Sequence, residues 1–139
     1  DCLLKFGAEK VYSIDTAYGE LDWKLRNNPK VVALERTNAL HVTLPEKVDL
    51  ITIDTGWTKQ IKIIPNALKN LKENGKIISL IKPQYETNQD NFDSNEVLKN
   101  TLDEVKRLLG VKVKKIIESP ILGNRKKNIE YLALFSRTK

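Results

Sequence analysis

The chain has 139 residues, of which 40% are hydrophobic and 30% charged, and its 24 Lys+Arg against 18 Asp+Glu give a formal net charge of +6. Within these residues, that much apolar material supports one ordinary core, which excludes a disordered chain and a multidomain enzyme. One cysteine and one histidine exclude an internal disulfide and leave no His/Cys cluster for a zinc site. The excess of positive charge favours an anionic partner such as nucleic acid.

The sequence also bears on location and completeness. No stretch approaches the roughly 18 to 20 consecutive apolar residues that span a bilayer, and no signal segment opens the chain, so we expect a cytoplasmic protein that does not insert into a membrane. The chain contains no methionine and begins at Asp1. We therefore interpret it as a fragment of a longer protein.

Helix-ending glycines and apolar runs alternate along the chain. Amphipathic stretches end at Gly7, Gly75 and Gly110, and a run rich in valine and isoleucine follows each of them. Because glycine adopts the left-handed conformation at little cost, we predict that each of the three ends a helix. The predicted helices are residues 2–7, 19–27, 58–73 and 94–109. The predicted strands are residues 11–15, 31–34, 48–53, 77–81, 111–117 and 129–135.

This alternation predicts parallel βαβ units with right-handed crossovers, and hence an α/β sheet with helices on both faces. Residues 48–53 are nearly all apolar, which predicts a strand covered on both faces. Residues 118–128 show no helical pattern, so the last two strands are predicted to pair antiparallel. A Rossmann-like, mostly parallel sheet with an antiparallel last strand is the outline of a class I methyltransferase. The opening helix further predicts a first strand that is missing because it lies upstream of Asp1.

Several segments carry a family resemblance. They are Asp1 to Leu4, Val11 to Asp15, Tyr18 to Arg26, Leu34 to Ala39, Lys82 to Glu86 and Ser119 to Ile121. Together they resemble the hemolysin/TlyA family of S-adenosylmethionine-dependent rRNA methyltransferases, which carry an FtsJ-type catalytic domain. In that family a glycine-rich loop, an RNA-binding module and a catalytic lysine lie further upstream. The resemblance implies that residues 1–139 are a single, partial catalytic domain whose cofactor is S-adenosylmethionine and whose partner is rRNA or a ribosomal subunit; it leaves homodimer formation open.

Three strand-end side chains are candidates for cofactor binding. Asp15 ends the first strand present, at the sheet edge where open α/β folds bind ligands. Its carboxylate can take both ribose hydroxyls of S-adenosylmethionine, or it can cap the next turn. Asn38 follows the next strand and can reach the adenine or ribose, or it can structure its own loop. Asp54 closes the strand 48–53 beside the expected cofactor, while Thr55 and Thr58 are candidate caps for the next helix.

Asp54, Lys82 and Glu130 form a candidate catalytic set. Lys82 follows a buried strand, where desolvation lowers the pKa of an ammonium group unless a carboxylate offsets the effect. Glu130 opens the last strand, which the predicted topology places beside the strand that ends at Lys82. The three resemble members of the Lys-Asp-Lys-Glu tetrad of ribose 2′-O-methyltransferases. The resemblance implies that Lys82 is the base, Asp54 orients it and Glu130 balances charge; a structural ion-pair set is the alternative.

Other residues are candidates for RNA contact. Arg125, Lys126 and Lys127 precede the last strand and border the presumed active edge, so we expect them to contact phosphate. Trp57 either packs in the core or at an edge, or stacks on a base. It lies in the stretch Thr55 to Lys59, where the chain departs from the family's Val-Ser-Phe-Ile-Ser.

The sequence leaves three alternatives to an enzyme of this kind. A non-catalytic methyltransferase-like domain that binds RNA is the main alternative, and it predicts salt-dependent RNA affinity without cofactor affinity. A dinucleotide-dependent oxidoreductase is disfavoured because the chain has no Gly-x-Gly-x-x-Gly. Membrane lysis, which the hemolysin label suggests, is disfavoured because no apolar or strongly amphipathic membrane segment is evident.

Overall fold

The computed structural model describes residues 1–121 and 128–138. They fall into two compact units, Asp1–Val42 and Thr43–Lys139. The described strands form a two-stranded sheet in the first unit and a four-stranded sheet in the second.

The first unit is a βαβ unit preceded by a short helix. Its elements are α1 (Cys2–Lys5), β1 (Val11–Ile14), α2 (Trp23–Arg26) and β2 (Val31–Leu34). Strands β1 and β2 pair in parallel, with Val11 opposite Val31. Helix α2 is shorter than the predicted 19–27 because Gly19 has a φ of 84° and Asp22 caps the helix by accepting the Lys24 N–H.

The second unit carries the larger sheet. Its elements are β3 (Val48–Ile53), α3 (Gln60–Asn70), β4 (Leu71–Ile81), α4 (Pro83–Glu86), α5 (Ser94–Leu109), β5 (Val111–Glu118) and β6 (Tyr131–Arg137). The strand order is β3-β4-β6-β5. Strands β3 and β4 are parallel, whereas β6 is antiparallel to both β4 and β5. The predicted antiparallel ending is confirmed.

The core of the second unit lies between the sheet and helices α3 and α5. Its fully buried side chains include Ile64 from α3, Val105 from α5, and Ile77, Ile81 and Phe135 from the sheet. Helix α5 has both predicted ends: Asp93 accepts the Glu96 N–H at the start, and Gly110 is left-handed with φ 57° and ψ 42° at the end. These packed elements fix the directions of β4 and β6.

Two expectations about this sheet are wrong. Gly75 does not end a helix: α3 ends at Asn70 and Gly75 lies inside β4. Strand β3 is an edge of its sheet and leaves Leu50 37% exposed, so within the described residues it is not covered on both faces. A glycine is needed at position 75 for a different reason: a Cβ there would lie 2.6 Å from Leu71 Cγ and 3.0 Å from the Asp49 carbonyl oxygen. The register between β3 and β4 shifts at this point.

We expect Gly75→Ala to destabilise the second unit by about 1–3 kcal/mol, the usual cost of forcing extra volume into a packed site. Leu71 is fully buried and the Asp49 carbonyl belongs to the backbone, so neither neighbour moves away easily. Urea denaturation measures the effect. Gly56→Ala is the control, because a Cβ there meets nothing within 4 Å; equal losses in the two variants would contradict the steric explanation.

Candidate active site

Asp54 and Lys82 meet at the carboxyl edge of the parallel strands β3 and β4. The strands end at Ile53 and Ile81, so the next residue of each leaves the sheet on the same side. The Lys82 Nζ lies 2.7 Å from the Asp54 Oδ1, and the two side chains are 19% and 67% exposed. The pair is therefore a charge-assisted hydrogen bond between a largely buried ammonium and a carboxylate open to solvent.

Glu130 reaches the same place from the antiparallel strand. It directly precedes β6, whose Tyr131 pairs with Ile81 at the end of β4, so Glu130 and Lys82 are the next residues beyond that pair. Glu130 is 9% exposed, and Gln84 Nε2 donates to its Oε1 at 3.4 Å. The structure thus brings Asp54, Lys82 and Glu130 together, as the topology predicted, while their catalytic roles stay a prediction.

The pKa of Lys82 reflects opposing effects. Burial lowers it, but the hydrogen bond to Asp54 and the charges of Asp54, Glu130 and Tyr85 together raise the pKa above its ordinary value. The carboxylate offset that the sequence left open is therefore present. Lys82 is therefore an ammonium at neutral pH and donates its hydrogen bond to Asp54.

The loop after Asp54 differs from the sequence expectation. Neither threonine caps α3, because the N-cap position is Lys59, Thr58 Oγ1 donates to the Gly56 carbonyl at 3.3 Å, and Thr55 Oγ1 is buried without a hydrogen-bond partner among the described residues. Trp57 is 78% exposed, so it is not a core residue. Its ring centroid lies 4.9 Å from that of Tyr85, which leaves an aromatic surface next to the Asp54 and Lys82 pair.

Two further residues at this edge escaped the sequence analysis. Tyr85 contacts Trp57 and is among the groups that raise the pKa of Lys82. Glu86 accepts the Gln60 N–H with both carboxylate oxygens, at 3.0 and 3.3 Å, and burial raises the pKa of Glu86 to about 7. The available signal was their position in the segment Lys82 to Glu86, which carries the family resemblance.

Asp15 and Asn38 lie in the first unit, at the carboxyl ends of β1 and β2. Both residues are exposed. Asp15 Oδ1 accepts the Ala17 N–H at 2.8 Å, and Asn38 Oδ1 accepts the Leu40 N–H at 2.9 Å, so each side chain structures its own turn. A carboxylate has two oxygens and about four acceptor positions, so this turn leaves Asp15 the capacity to bind ribose hydroxyls. Cofactor binding by both residues stays a prediction.

Some expectations fall on residues without described structure. Arg125, Lys126 and Lys127 lie outside the described residues. In the parts of the chain that are described, no helix has the length and apolar character needed to cross a bilayer. No group of three or more His, Cys, Asp or Glu side chains in those parts is arranged to hold a metal ion.

Comparison with known proteins identifies the family. The model of the FtsJ-like methyltransferase family matches residues 1–137. The chain belongs to the FtsJ-like methyltransferase family. Its Rossmann-like α/β fold agrees with that membership, and the predicted fold class is confirmed.

Individual relatives of this FtsJ-like chain carry two kinds of name. Hemolysin A of Brachyspira hyodysenteriae is 35% identical over 149 residues, which cover 97% of this chain and 61% of that protein. The 16S/23S rRNA (cytidine-2′-O)-methyltransferase TlyA of Mycobacterium tuberculosis is 40% identical over 90 residues, 62% of this chain and 33% of that protein. A solved structure named as a hemolysin, from Streptococcus thermophilus, has a TM-score of 0.88 at 28% identity, covering 100% of this chain and 55% of that one. The FtsJ-like chain thus spans 61% of the length of the hemolysin A relative and 33% of the length of the TlyA relative.

We expect Asp54→Asn to lower the pKa of Lys82. The substitution removes the charged hydrogen-bond partner and a nearby negative charge but leaves the burial that disfavours the ammonium. NMR titration of the lysine side chains measures the shift. The control is Asp49→Asn. Asp49 pairs with Lys72 at 2.8 Å, and the side chains of Lys72 and Asp49 are 53% and 83% exposed. A Lys82 pKa that moves equally in both variants would contradict the assignment of Asp54 as the group that raises it.

Proposed function

We propose that the protein is an S-adenosylmethionine-dependent RNA methyltransferase that methylates a ribose 2′-hydroxyl of rRNA. The observation that carries this proposal is the cluster of Lys82, Asp54 and Glu130 at the carboxyl edge of the sheet in a chain of the FtsJ-like methyltransferase family. The name of the TlyA relative, which specifies cytidine-2′-O methylation of rRNA, supports the choice of atom. In this proposal residues 1–139 contribute to one catalytic domain.

The chemistry explains why these residue types are needed. A ribose hydroxyl is a weak acid, so transfer requires its oxygen to be aligned with the methyl group and its proton to be removed. The oxygen–carbon bond forms as the carbon–sulfur bond breaks, and the hydroxyl proton leaves to a base. S-adenosylmethionine, when bound, supplies an electrophilic methyl group on a positively charged sulfur.

Each residue of the cluster has a part in this proposal. Lys82 contacts the 2′-oxygen: its ammonium group first gives one proton to solvent water, and the neutral amine then accepts the hydroxyl proton as the base. The carboxylates that raise the pKa of Lys82 oppose its deprotonation. A positive charge brought close to Lys82 lowers this pKa and so favours deprotonation. Asp54 fixes the position of the Nζ through their 2.7 Å contact. Glu130, buried beside them, balances the charge of the ammonium.

Residues at the strand ends suit the cofactor. In the first unit, Asp15 offers a carboxylate to the ribose hydroxyls and Asn38 offers an amide to the adenine or ribose; in the second unit, Asp54 would contribute to cofactor binding. Exposed polar groups at the carboxyl ends of parallel strands are typical of ligand sites in open α/β sheets. A carboxylate and an amide oxygen, which accept hydrogen bonds, fit an adenosine, whose sugar and base present hydroxyl and N–H donors.

RNA contact is assigned to basic and aromatic groups. Arg125, Lys126 and Lys127 would bind phosphate, in keeping with the net charge of +6. Trp57, exposed and in contact with Tyr85, offers an aromatic face on which an unpaired base can stack.

We expect Lys82→Ala in the full-length protein to lower the rate of methyl transfer by about 10²- to 10⁴-fold, the usual contribution of a positioned base, without changing cofactor affinity. Transfer of a labelled methyl group to rRNA measures the rate. Lys72→Ala, which breaks the exposed pair with Asp49, is the control and should retain full activity. Full activity of the Lys82 variant would remove Lys82 from the mechanism.

We expect Asp15→Ala to raise the Kd for S-adenosylhomocysteine by about 10- to 100-fold, because a hydrogen bond to a charged group contributes about 1.5–3 kcal/mol. Calorimetric titration of the full-length protein measures it. Glu9→Ala is the control, since Glu9 is an exposed carboxylate at the opposite end of β1. An unchanged Kd would refute the ribose assignment, and salt-dependent RNA binding without any cofactor binding by the wild type would favour the non-catalytic domain.

A further inference from the structure

Three contacts join the two segments that carry Asp54 and Lys82. Residues 54–60, which follow β3 and end at the first residue of α3, are called the Asp54 segment; residues 82–86, which follow β4 and include α4, are called the Lys82 segment. Asp54 pairs with Lys82, Trp57 contacts Tyr85, and the Gln60 N–H binds Glu86. The contacts follow one another in the same order along both segments, so the segments lie side by side.

The Glu86 contact closes this series at the start of α3. The first N–H groups of a helix have no partner within the helix, and the N-cap residue Lys59 supplies no side-chain hydrogen bond. Glu86 takes that part from the other segment, with its two oxygens 3.0 and 3.3 Å from the Gln60 nitrogen. A negative charge is favourable at the positive end of the helix dipole.

Gln60 is held on its other side by β4. Its Oε1 accepts the Ser79 hydroxyl at 2.6 Å, and its Nε2 donates to the Leu80 carbonyl at 3.4 Å. Gln60 and Ser79 are 2% and 0% exposed. Gln60 is thus bound to the strand that leads into Lys82 and also to Glu86 at the end of the Lys82 segment. The end of the Asp54 segment is therefore connected to the Lys82 segment at both of its ends.

The surroundings of Glu86 disfavour its charge. Burial is the largest effect on its pKa; the Gln60 N–H and Lys59 lower the pKa, whereas Glu104 raises it. Asp103 and Arg107 of α5 line the same open cavity of about 430 Å³ as Glu86.

We propose that Glu86 is a positioning residue for the reaction: by binding the first N–H of α3 as a carboxylate, it holds the Asp54 segment against the Lys82 segment and so sets the contact between Asp54 and Lys82. Its effect on methyl transfer rests on the proposed function, whereas its effect on the geometry of the pair does not. Protonation removes the charge from the helix terminus and weakens the connection. Acidification therefore loosens the pair.

The test is a pH titration of the full-length protein with three variants: wild type, Glu86→Gln, and Glu104→Gln as the control. Glu104 lines the same cavity and raises the pKa of Glu86, but the Gln60 N–H donates to Glu86. In Glu104→Gln the titration should therefore persist, with a lower midpoint. By NMR we expect the Glu86 carboxyl carbon, the Gln60 amide and the Lys82 side chain to titrate together in the wild type and in Glu104→Gln. In Glu86→Gln we expect the response of Gln60 and Lys82 near neutral pH to disappear.

Activity gives a second, separate measure. Because the proposed base Lys82 has a raised pKa, kcat should fall on acidification in every variant, while KM for RNA stays constant. We therefore expect the ratio of wild-type to Glu86→Gln kcat to fall between pH 8 and pH 6 by up to about tenfold, the limit for one group that titrates near pH 7. The ratio of Glu104→Gln to Glu86→Gln kcat should fall in the same way, at a lower pH because Glu104 raises the pKa of Glu86. A wild-type to Glu86→Gln ratio that does not change with pH would overturn the effect on catalysis.

The stability of the wild type should increase as the pH falls, whereas kcat should decrease. The folded-state pKa of Glu86, about 7, lies above its ordinary value of about 4.3, so the wild type gains stability as pH falls between these values. Glu86→Gln, which does not titrate, should melt at a higher temperature than the wild type at pH 8, and the difference should close as pH falls.

The outcomes separate the two proposals. If the wild type transfers no methyl group, the proposed function fails, and the NMR response of Lys82 still decides whether Glu86 positions the pair. If Lys82 is insensitive to the titration of Glu86, the positioning role is wrong even in an active enzyme. The wild-type titration needs no substitution, so a variant that fails to fold does not prevent the test.

Discussion

A buried ammonium group governs the arrangement of this protein's carboxyl edge. Lys82 is only 19% exposed, and a lysine in such a place loses hydration that it must replace. Asp54 gives it a direct hydrogen bond, and Glu130 adds a second negative charge nearby. The two carboxylates come from residues far apart in the chain, so the edge exists only when β3, β4 and β6 are assembled.

The sheet topology makes that assembly simple. Parallel strands release their chains on the same side, which places Asp54 and Lys82 together. An antiparallel strand enters where its neighbour leaves, which places Glu130 next to Lys82. The mixed sheet thus collects one cation and two anions within a few residues of three strand ends. The Asp54 and Lys82 segments beyond β3 and β4 then add Trp57, Tyr85 and Glu86, whose contacts join the two segments.

The sequence predicted the parts of this site that depend on strand ends. Asp54, Lys82 and Glu130 each adjoin an apolar run, and strand polarity is enough to bring them together. It failed where the outcome depends on close three-dimensional contacts. The local pattern predicts a helix end at Gly75, but a glycine is needed there because Leu71 and the Asp49 carbonyl approach too closely for a Cβ. Glu86 caps a helix 26 residues away in the chain, which no local pattern reveals. The direction of the Lys82 pKa shift was left conditional because burial and charge pairing oppose each other.

Trp57 adds one more consequence. Its φ of 61° is a left-handed conformation that costs a bulky L-residue on the order of 1 kcal/mol, whereas the neighbouring Gly56, which would adopt it freely, has an ordinary φ. A chain with these two residues in reverse order would have a relaxed loop and an indole displaced by one position. The strain in this single dihedral angle is therefore the free-energy cost of placing the indole at position 57 rather than at position 56.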